Sequence, residues 1–480
     1  MRSLRIAAWL LVPIFALALQ PSGGAAQLHD LVLRGGRVMD PASGLDAVRD
    51  VGITDGSIRA VSEAPLEGRQ VVDVTGHVVA PGFVDLHAHG QDPVASSFQV
   101  RDGVTTALEL ESGAGPVAPF YAEREGEARI HFGATASHGG ARRRVMGPER
   151  ERLYEAATPT QIREITDLLR EEIRAGALGI GVGLQYVPGA TREEILRVME
   201  VAAETGVPLF CHVRYAGVRE PTAAIQAVQE MIAGAAATGA SVHVVHIGST
   251  GLTSVPLLLE IIQGARDRGV DITTEVYPYT AASTDIRAAI FDDGWRDRLD
   301  AEYEDIEWIA TGERLSADNW ERFRAEGGPV IAHVIPEAAV EAALRIPGVI
   351  VASDGVPFTN GRTHPRGVGT FARVLGRYVR ERGTLGLMDA LGRMTILPAR
   401  RLEEAVPAMR WKGRIQVGAD ADLTIFDPAT VLDRATFAEP AVPSQGIVHV
   451  LVGGTFVVRD GELLDEVRPG QPVRRAVIVP

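Results

Sequence analysis

Two histidines separated by one residue, His87 and His89, end an apolar run at residues 79–86. In an extended strand, residues i and i+2 point to the same face, so both imidazoles can reach one ion. Imidazole nitrogen is a common zinc ligand, but two ligands alone do not make a site. The pair predicts part of a metal centre; the alternative is a pair of surface histidines at a strand end.

Three more candidate ligands lie at the ends of other apolar runs: His212, His246 and Asp354. Barrel enzymes build their active sites at the carboxyl ends of their strands. A single polar residue at a strand end is usually ordinary, but candidates at several strand ends favour a shared metal centre.

The run at residues 104–111 carries two acidic residues, Glu109 and Glu111, on one face, and Leu108 and Leu110 on the other. Acidic side chains inside a barrel are costly unless they are paired or bound to metal. Glu111 lies nearer the strand end and is the preferred metal ligand, with Glu109 in reserve. If the strand is flipped, both glutamates instead pair with arginines on helices.

Strands and helical patterns alternate from residue 81 to about 355, which predicts parallel βαβ units in an α/β fold. The eight predicted strands match the number in a (β/α)8 barrel. An insertion between strands seven and eight, about residues 282–345, contains Trp295, Trp308 and Trp320 and is too long for a simple crossover. We expect it to form a lid or subdomain.

The N-terminus has the pattern of a secretory signal peptide. Arg2 and Arg5 precede an apolar run at residues 6–19, and small residues, Gly24 and Ala26, follow it. We expect a signal peptide at residues 1–26, export to the periplasm or outside the cell, and no stable membrane span after cleavage. The alternative is an uncleaved anchor, but the run is short for a full span.

Composition limits the partners and the cysteine chemistry. The formal net charge of -14 argues against nucleic acid as a partner. Cys211 is the only cysteine, so the chain has no internal disulfide. It precedes a candidate ligand, His212, on the same strand and should therefore point away from the metal.

The segment Pro81-Gly-Phe-Val-Asp-Leu-His-Ala-His-Gly90 resembles the first barrel strand of the amidohydrolase superfamily. Longer segments resemble the N-acyl-D-amino-acid deacylases (D-aminoacylases) within it, at residues 129–139, 176–189, 275–280, 362–375 and 394–400. The resemblance implies a metal-dependent (β/α)8 barrel at residues 81–405. It also implies a small β-sandwich built from both chain ends, residues 27–80 and 406–480.

The family's zinc ligands carry over onto a set found on strands one, five, six and eight: His87, His89, His212, His246 and Asp354. Two departures affect the rest of the site. The family's cysteine ligand on strand two falls at or next to Ser112, so Glu111 or Glu109 must replace it, and a bridging carboxylate favours two metals over one. The carboxylated lysine that other superfamily members use is ruled out, because Lys412 is the only lysine.

The second departure concerns the substrate. The family has a lysine after the strand-six histidine that binds the substrate carboxylate, and this chain has Gly248 there. The carboxylate is then either absent from that place or held by Arg214, Tyr279 or Arg366. His138, at the end of strand three, is a further candidate for binding the substrate or the oxyanion; the alternative is a structural histidine.

The resemblance implies a zinc-dependent hydrolase with one or two Zn²⁺, acting on small-molecule linear amides such as N-acyl-D-amino acids, and the N-terminal pattern adds the expectation that it is exported. Asp354 would act as general base and then as general acid. A cyclic-amide hydrolase of the dihydropyrimidinase or hydantoinase type is the alternative reaction. An inactive binding barrel is the alternative outside catalysis.

Overall fold

The computed structural model describes residues 28–89 and 91–478. The predicted signal peptide lies outside these residues. Within them, no helix combines the length and the apolar character needed to cross a membrane.

The described part of the chain begins with five strands that belong to a domain beside the barrel: β1 (His29–Asp40), β2 (Leu45–Thr54), β3 (Ser57–Ser62), β4 (Gly68–Asp73) and β5 (Val78–Pro81). β1 is central, because it pairs antiparallel with β2 and parallel with both β4 and β5. Buried aliphatic side chains from these strands form a core separate from that of the barrel.

Seven strands of the barrel follow: β6 (Phe83–Asp85), β7 (Val104–Ala114), β8 (His131–Ser137), β9 (Ile180–Gly183), β10 (Leu209–His212), β11 (Val242–Val244) and β12 (Ile272–Val276). The apolar run at residues 79–86 contributes to two strands, because β5 joins the neighbouring domain and only β6 enters the barrel.

The predicted insertion forms a four-stranded sheet of its own: β13 (Ala282–Asp285), β14 (Ile306–Trp308), β15 (Glu313–Arg314) and β16 (Pro329–Ala332). Its three tryptophans are buried. The rings of Trp295 and Trp320 stack with centroids 4.8 Å apart, and Trp308 packs on Phe323. These aromatic contacts give the insertion its own core.

The eighth barrel strand, β17 (Ile350–Val351), pairs with β12, and the eight strands follow chain order in one parallel sheet. Asp85 connects the first and last strands, because its carboxylate accepts hydrogen bonds from the backbone N–H and the hydroxyl of Ser353. Ala88 and Gly355 form a further parallel bridge. The predicted barrel is confirmed, with a parallel sheet that is close to fully closed.

Helices cover the outside of this sheet and complete the insertion at residues 295–299 and 320–326. They are α1 (Pro93–Arg101), α2 (Val117–Ala122), α3 (His138–Met146), α4 (Pro159–Arg174), α5 (Arg192–Thr205), α6 (Ala224–Thr238), α7 (Ile247–Gly251), α8 (Val255–Arg266), α9 (Trp295–Leu299), α10 (Trp320–Glu326), α11 (Glu337–Arg345), α12 (Arg366–Arg373), α13 (Leu387–Met394) and α14 (Ile396–Leu402). α4 shows the pattern: Thr158 caps its first turn, and Ile162, Ile165 and Leu169 face the barrel.

The remaining strands return to the first domain: β18 (Leu423–Phe426), β19 (Ile447–Val452), β20 (Thr455–Arg459) and β21 (Glu462–Leu463). β18 pairs with β5, which joins both chain ends into a nine-stranded sheet. Residues 470–478 then leave this sheet and hydrogen-bond to the barrel at Phe132 and Arg174. The far C-terminus, predicted as part of the β-sandwich, therefore packs on the barrel.

Candidate active site

The predicted ligands meet at one end of the barrel, beyond the carboxyl ends of four strands. His87 and His89 follow β6, and His212 ends β10. His246 and Asp354, just past β11 and β17, have left-handed backbones with φ of 32° and 50°. Such angles are uncommon outside glycine, and strained residues often occur at functional sites.

A bulge in β7 brings Glu111 to the same point. Its pairing with β8 skips from Glu109 opposite Ala134 to Ala114 opposite Ala136, so β7 carries extra residues between these pairs. Bulges re-aim side chains beside active sites. The backbone of Gly181 on β9 lies against this bulge, and a Cβ there would be only 2.5 Å from the carbonyl oxygen of Glu111.

Glu111 connects two groups of potential ligands. Its Oε2 lies 3.1 Å from Nε2 of His89 and 3.5 Å from Nε2 of His87. Its Oε1 lies 2.8 Å from Nδ1 of His212, which is 3.0 Å from Nε2 of His246. In each group the ligand atoms lie within 4.8 Å of one another. This is the arrangement of a carboxylate shared by two metal positions.

Carboxylates orient the first two histidines through their outer nitrogens. Nδ1 of His87 is 2.6 Å from Oε1 of Glu275, whose Oε2 binds His243 at 3.0 Å. Nδ1 of His89 is 2.9 Å from Oε2 of Glu109. Glu109, the reserve ligand, therefore holds a ligand and belongs to neither group of potential ligands. A partner that fixes the ring leaves the opposite nitrogen free to bind metal.

Neutral side chains orient the other two histidines. Nε2 of His212 donates to Oε1 of Gln185. The hydroxyl of Ser249 lies 3.0 Å from Nδ1 of His246. The nitrogens that remain, Nδ1 of His212 and Nε2 of His246, are the ones that face Glu111. All four histidines therefore have one held nitrogen and one nitrogen directed into the site.

Asp354 lies on the side of the site formed by His87 and His89, with Oδ1 at 3.4 Å and 3.6 Å from their Nε2 atoms. Arg366 holds it twice, through Nη2 at 2.9 Å from Oδ1 and through Nε to the carbonyl oxygen. Two glycines allow this contact, because a Cβ on Gly355 would lie 3.0 Å from Cα of Gly367. α12 can therefore begin directly against Asp354.

The electrostatics of the site suit a bound cation. Burial opposes ionisation of Glu111, but hydrogen bonds from the surrounding histidines outweigh it and hold the pKa of this carboxyl well below its usual range. Burial also lowers the pKa of His246 well below its ordinary value, which keeps its ligand nitrogen unprotonated. Burial raises the pKa of Asp354, against the attraction of Arg366.

His89 differs from His246, because its surroundings favour the protonated ring. Burial favours its neutral form, but the charge of Glu109 outweighs burial and raises its pKa to about 10. A protonated ring cannot bind metal, so a cation would have to displace that proton. The buried carboxylates that favour the protonated form of His89 would equally stabilise a divalent cation in its place. Imidazoles and carboxylates with two converging groups fit zinc well.

A cavity of about 220 Å³ opens beside these groups. Three donors on its wall are buried and have no hydrogen-bond partner among the residues that the structure describes: the hydroxyls of Tyr277 and Ser283, and Nη1 of Arg366. Burial raises the pKa of Tyr277 to about 12, so its hydroxyl stays protonated. Unpaired buried donors on residues that line one cavity favour binding of an anion.

The predicted substrate-binding residues have different positions. Arg366 lines the cavity. Arg214 lines an adjoining outer cleft of about 610 Å³ and is paired with Glu230 at 2.9 Å. The structure does not bring Tyr279 to the cavity wall, because Tyr279 packs under Arg373 and its hydroxyl faces Asp433.

His138 is also outside the cavity. It is fully buried at the start of α3, and its Nε2 lies 2.8 Å from Oε1 of Glu194. Thr191 caps α5, and the Glu194 carboxylate turns to His138 and Arg142. His138 therefore has the position of a structural histidine.

Sequence reasoning missed Tyr277, Ser283, Gln185 and Glu275. Alternation along strand seven could have found two of these, because Glu275 and Tyr277 are i and i+2 and share a face. Gln185 lies in a three-residue 3-10 helix after β9, and Ser283 lies in the four-residue strand β13; both segments are too short to give a periodic signal.

The comparisons with known proteins agree with this geometry. The amidohydrolase family model matches residues 138–458. The N-acyl-D-glutamate deacylase of Alcaligenes xylosoxydans xylosoxydans is 32% identical over 93% of this chain and 96% of the relative. The D-aminoacylase of the same organism is 31% identical over 90% of this chain and 95% of its own.

A solved structure is also similar over nearly the whole chain. It is the N-acyl-D-glutamate deacylase of Bordetella bronchiseptica, complexed with zinc and a phosphonate inhibitor that mimics the tetrahedral intermediate. The two structures superpose with a TM-score of 0.81 and are 28% identical in sequence, and the match covers 93% of this chain and 100% of the other. This chain therefore belongs to the amidohydrolase family and is a hydrolase of carbon–nitrogen bonds other than peptide bonds, related to the N-acyl-D-amino-acid deacylases.

Proposed function

We propose that this protein is a zinc-dependent deacylase that cleaves the linear amide bond of N-acyl-D-amino acids. The observation that carries the proposal is the position of Glu111, shared by two ligand groups next to a cavity with three unpartnered donors. The first feature suits metal-assisted hydrolysis, and the second suits a substrate that carries a carboxylate.

The metal assignment rests on the donor set. His87, His89 and Asp354 would hold one Zn²⁺, His212 and His246 the other, and Glu111 both. Bound zinc lowers the pKa of water toward neutrality and polarises a carbonyl oxygen. The zinc complex of the related deacylase supports the choice of metal.

Tyr277, Ser283 and Arg366 would bind the substrate carboxylate in place of the missing lysine at Gly248. A carboxylate accepts several hydrogen bonds, and a guanidinium matches its planar shape. Arg366 has Nη1 free for this role while Nη2 and Nε hold Asp354. One arginine would thus position the substrate and the catalytic base relative to each other.

Asp354 would transfer the proton. Its Oδ1 lies beside the first ligand group, so it can accept a proton from an attacking water there. It would then return the proton to the leaving nitrogen, which departs as an amine. Burial raises the pKa of Asp354, which helps it retain the proton between these two steps, while Arg366 holds the side chain in place.

A substrate panel tests the activity. Zinc-loaded protein should hydrolyse N-acyl-D-amino acids faster than their L isomers, dipeptides that contain a D residue, and cyclic imides. Arg366→Lys and Tyr277→Phe should raise KM, because each removes a donor from the carboxylate site. Preferential opening of cyclic imides would contradict the proposal and favour the cyclic-amide alternative. Absence of bound metal together with absence of turnover would favour a binding barrel.

The site of action is a further part of the proposal. The charged and apolar pattern of residues 1–26 supports export and cleavage before Gln27. N-terminal sequencing of protein from its native host should find Gln27 or a near neighbour at the start. Cytoplasmic protein that still begins at Met1 would contradict export.

A further inference from the structure

We propose that the substrates carry apolar, uncharged side chains and that acidic N-acyl-D-amino acids are poor substrates. This inference rests on the proposed function, because it takes the carboxylate of the substrate to lie at Arg366. The relevant observation is how few positive charges face the cavity and its entrance.

The insertion closes the cavity with apolar side chains. Ile290, Phe291 and Leu299 come from the insertion, and Val356 and Pro357 follow β17. Phe291 and Leu299 are buried. Among the residues that the structure describes, Arg366 is the only arginine or lysine on the cavity wall. It already faces Asp354, so only Nη1 remains for one substrate carboxylate.

Among the described residues, the outer cleft has three arginines, and each is either engaged by other groups of the protein or exposed to solvent. Arg214 is paired with Glu230 through two nitrogens and also donates to the carbonyl of Ala190. Arg298 donates to three backbone carbonyls of the insertion. The third, Arg192, has a side chain that is 68% exposed, so solvent screens its charge.

A second substrate carboxylate would therefore lose its water shell without gaining a partner. Burying an unpaired charge is strongly unfavourable, whereas burying an aliphatic side chain against Ile290, Phe291 and Leu299 is favourable. Selectivity between substrates follows this difference. The wall built by the insertion is thus a specificity element, separate from the metal centre.

Binding without turnover tests this inference independently of catalysis. Calorimetry with the zinc-loaded Asp354→Asn variant should give N-acetyl-D-leucine a Kd about 30-fold lower than N-acetyl-D-glutamate or N-acetyl-D-aspartate. In the wild type, kcat/KM for N-acetyl-D-leucine should exceed kcat/KM for the two acidic substrates by about 100-fold. Equal or tighter binding of an acidic ligand, or no binding of either class, would overturn the inference. If N-acetyl-D-leucine bound tightly to the variant but the wild type did not hydrolyse it, only the proposed function would be contradicted.

A charge placed on the wall provides a second test. Ile290 is half-buried where the cavity meets the outer cleft, so a long side chain fits there. Ile290→Arg should improve N-acetyl-D-glutamate binding relative to N-acetyl-D-leucine by about 10-fold, because it supplies the missing cation. Ile290→Met, of similar length and no charge, should leave the ratio near that of the wild type. An unchanged binding ratio in Ile290→Arg would show that the apolar wall does not determine this selectivity.

Discussion

At the scale of single residues, Asp354 combines an unusual backbone with a defined partner. Its φ of 50° is more acceptable for aspartate or asparagine than for other side chains. Arg366 fixes it on the side of His87 and His89. Asparagine at this position can therefore keep the geometry while losing the ability to accept a proton.

Asp354→Asn should lower kcat by about 100-fold or more, which is the usual effect of removing a general base. Bound zinc should fall little, because the histidines and Glu111 remain. Steady-state kinetics together with metal analysis measure both effects. Asp389→Asn is the matched control, since Asp389 pairs with Arg393 and does not line the cavity. A turnover rate near that of the wild type would exclude Asp354 as the base.

At the scale of elements, the bulge in β7 decides which acidic residue reaches the metal positions. It needs a glycine at residue 181 on β9, the strand beyond its partner β8. A Cβ on Gly181 would lie 2.5 Å from the carbonyl oxygen of Glu111 and 2.7 Å from that of Leu110. Neither backbone oxygen can move aside without shifting the bulge.

Gly181→Ala should therefore displace Glu111, lower both zinc content and kcat, and cost about 1–3 kcal/mol of stability through overpacking. Gly139→Ala is the control, because a Cβ on Gly139 meets nothing within 4 Å. Zinc analysis and melting curves of the two variants measure the difference. If Gly181→Ala bound as much zinc and turned over substrate as fast as the control, the bulge would not be positioning Glu111.

The strands and helices also show which parts of the fold and the site could be predicted from the sequence. Apolar runs and helical spacing predicted the strand order, and the strand ends predicted five residues that the structure brings together. The bulge was not predictable, because simple alternation already placed Glu109 and Glu111 on one face. Alternation with Glu275 indicates Tyr277, whereas Tyr279 lies further past the end of β12, where alternation no longer tells which way a side chain points.

At the scale of the whole molecule, a buried cluster joins the barrel to the β-domain. Asp422, just before β18, accepts hydrogen bonds from His131 on β8 at 3.0 Å and from Lys412 at 2.8 Å. Burial opposes ionisation of Asp422, but these two partners outweigh it and hold the pKa of its carboxyl far below the usual range. Removing one partner of a buried pair costs about 3–5 kcal/mol.

Asp422→Asn should lower the melting temperature at pH 7, because Lys412 loses its buried partner. A carboxyl whose pKa is lowered by folding contributes its stability above the unfolded pKa of about 4, and this contribution is lost as pH falls. The difference between wild type and variant should therefore shrink below about pH 4. Asp420→Asn, at a more exposed partner of Lys412, should have a smaller effect. A constant difference from pH 7 to pH 3 would contradict this charge-based account.

The central claim is that Glu111 connects two metal positions, and the metal content of three proteins tests it most directly. Two nearby cations repel each other, and a shared carboxylate offsets part of that repulsion. Glu109→Gln is the matched control, because glutamine keeps an acceptor for Nδ1 of His89. The account predicts about two zinc ions per chain in the wild type and in Glu109→Gln, and about one in Glu111→Gln. Two zinc ions in Glu111→Gln would contradict it.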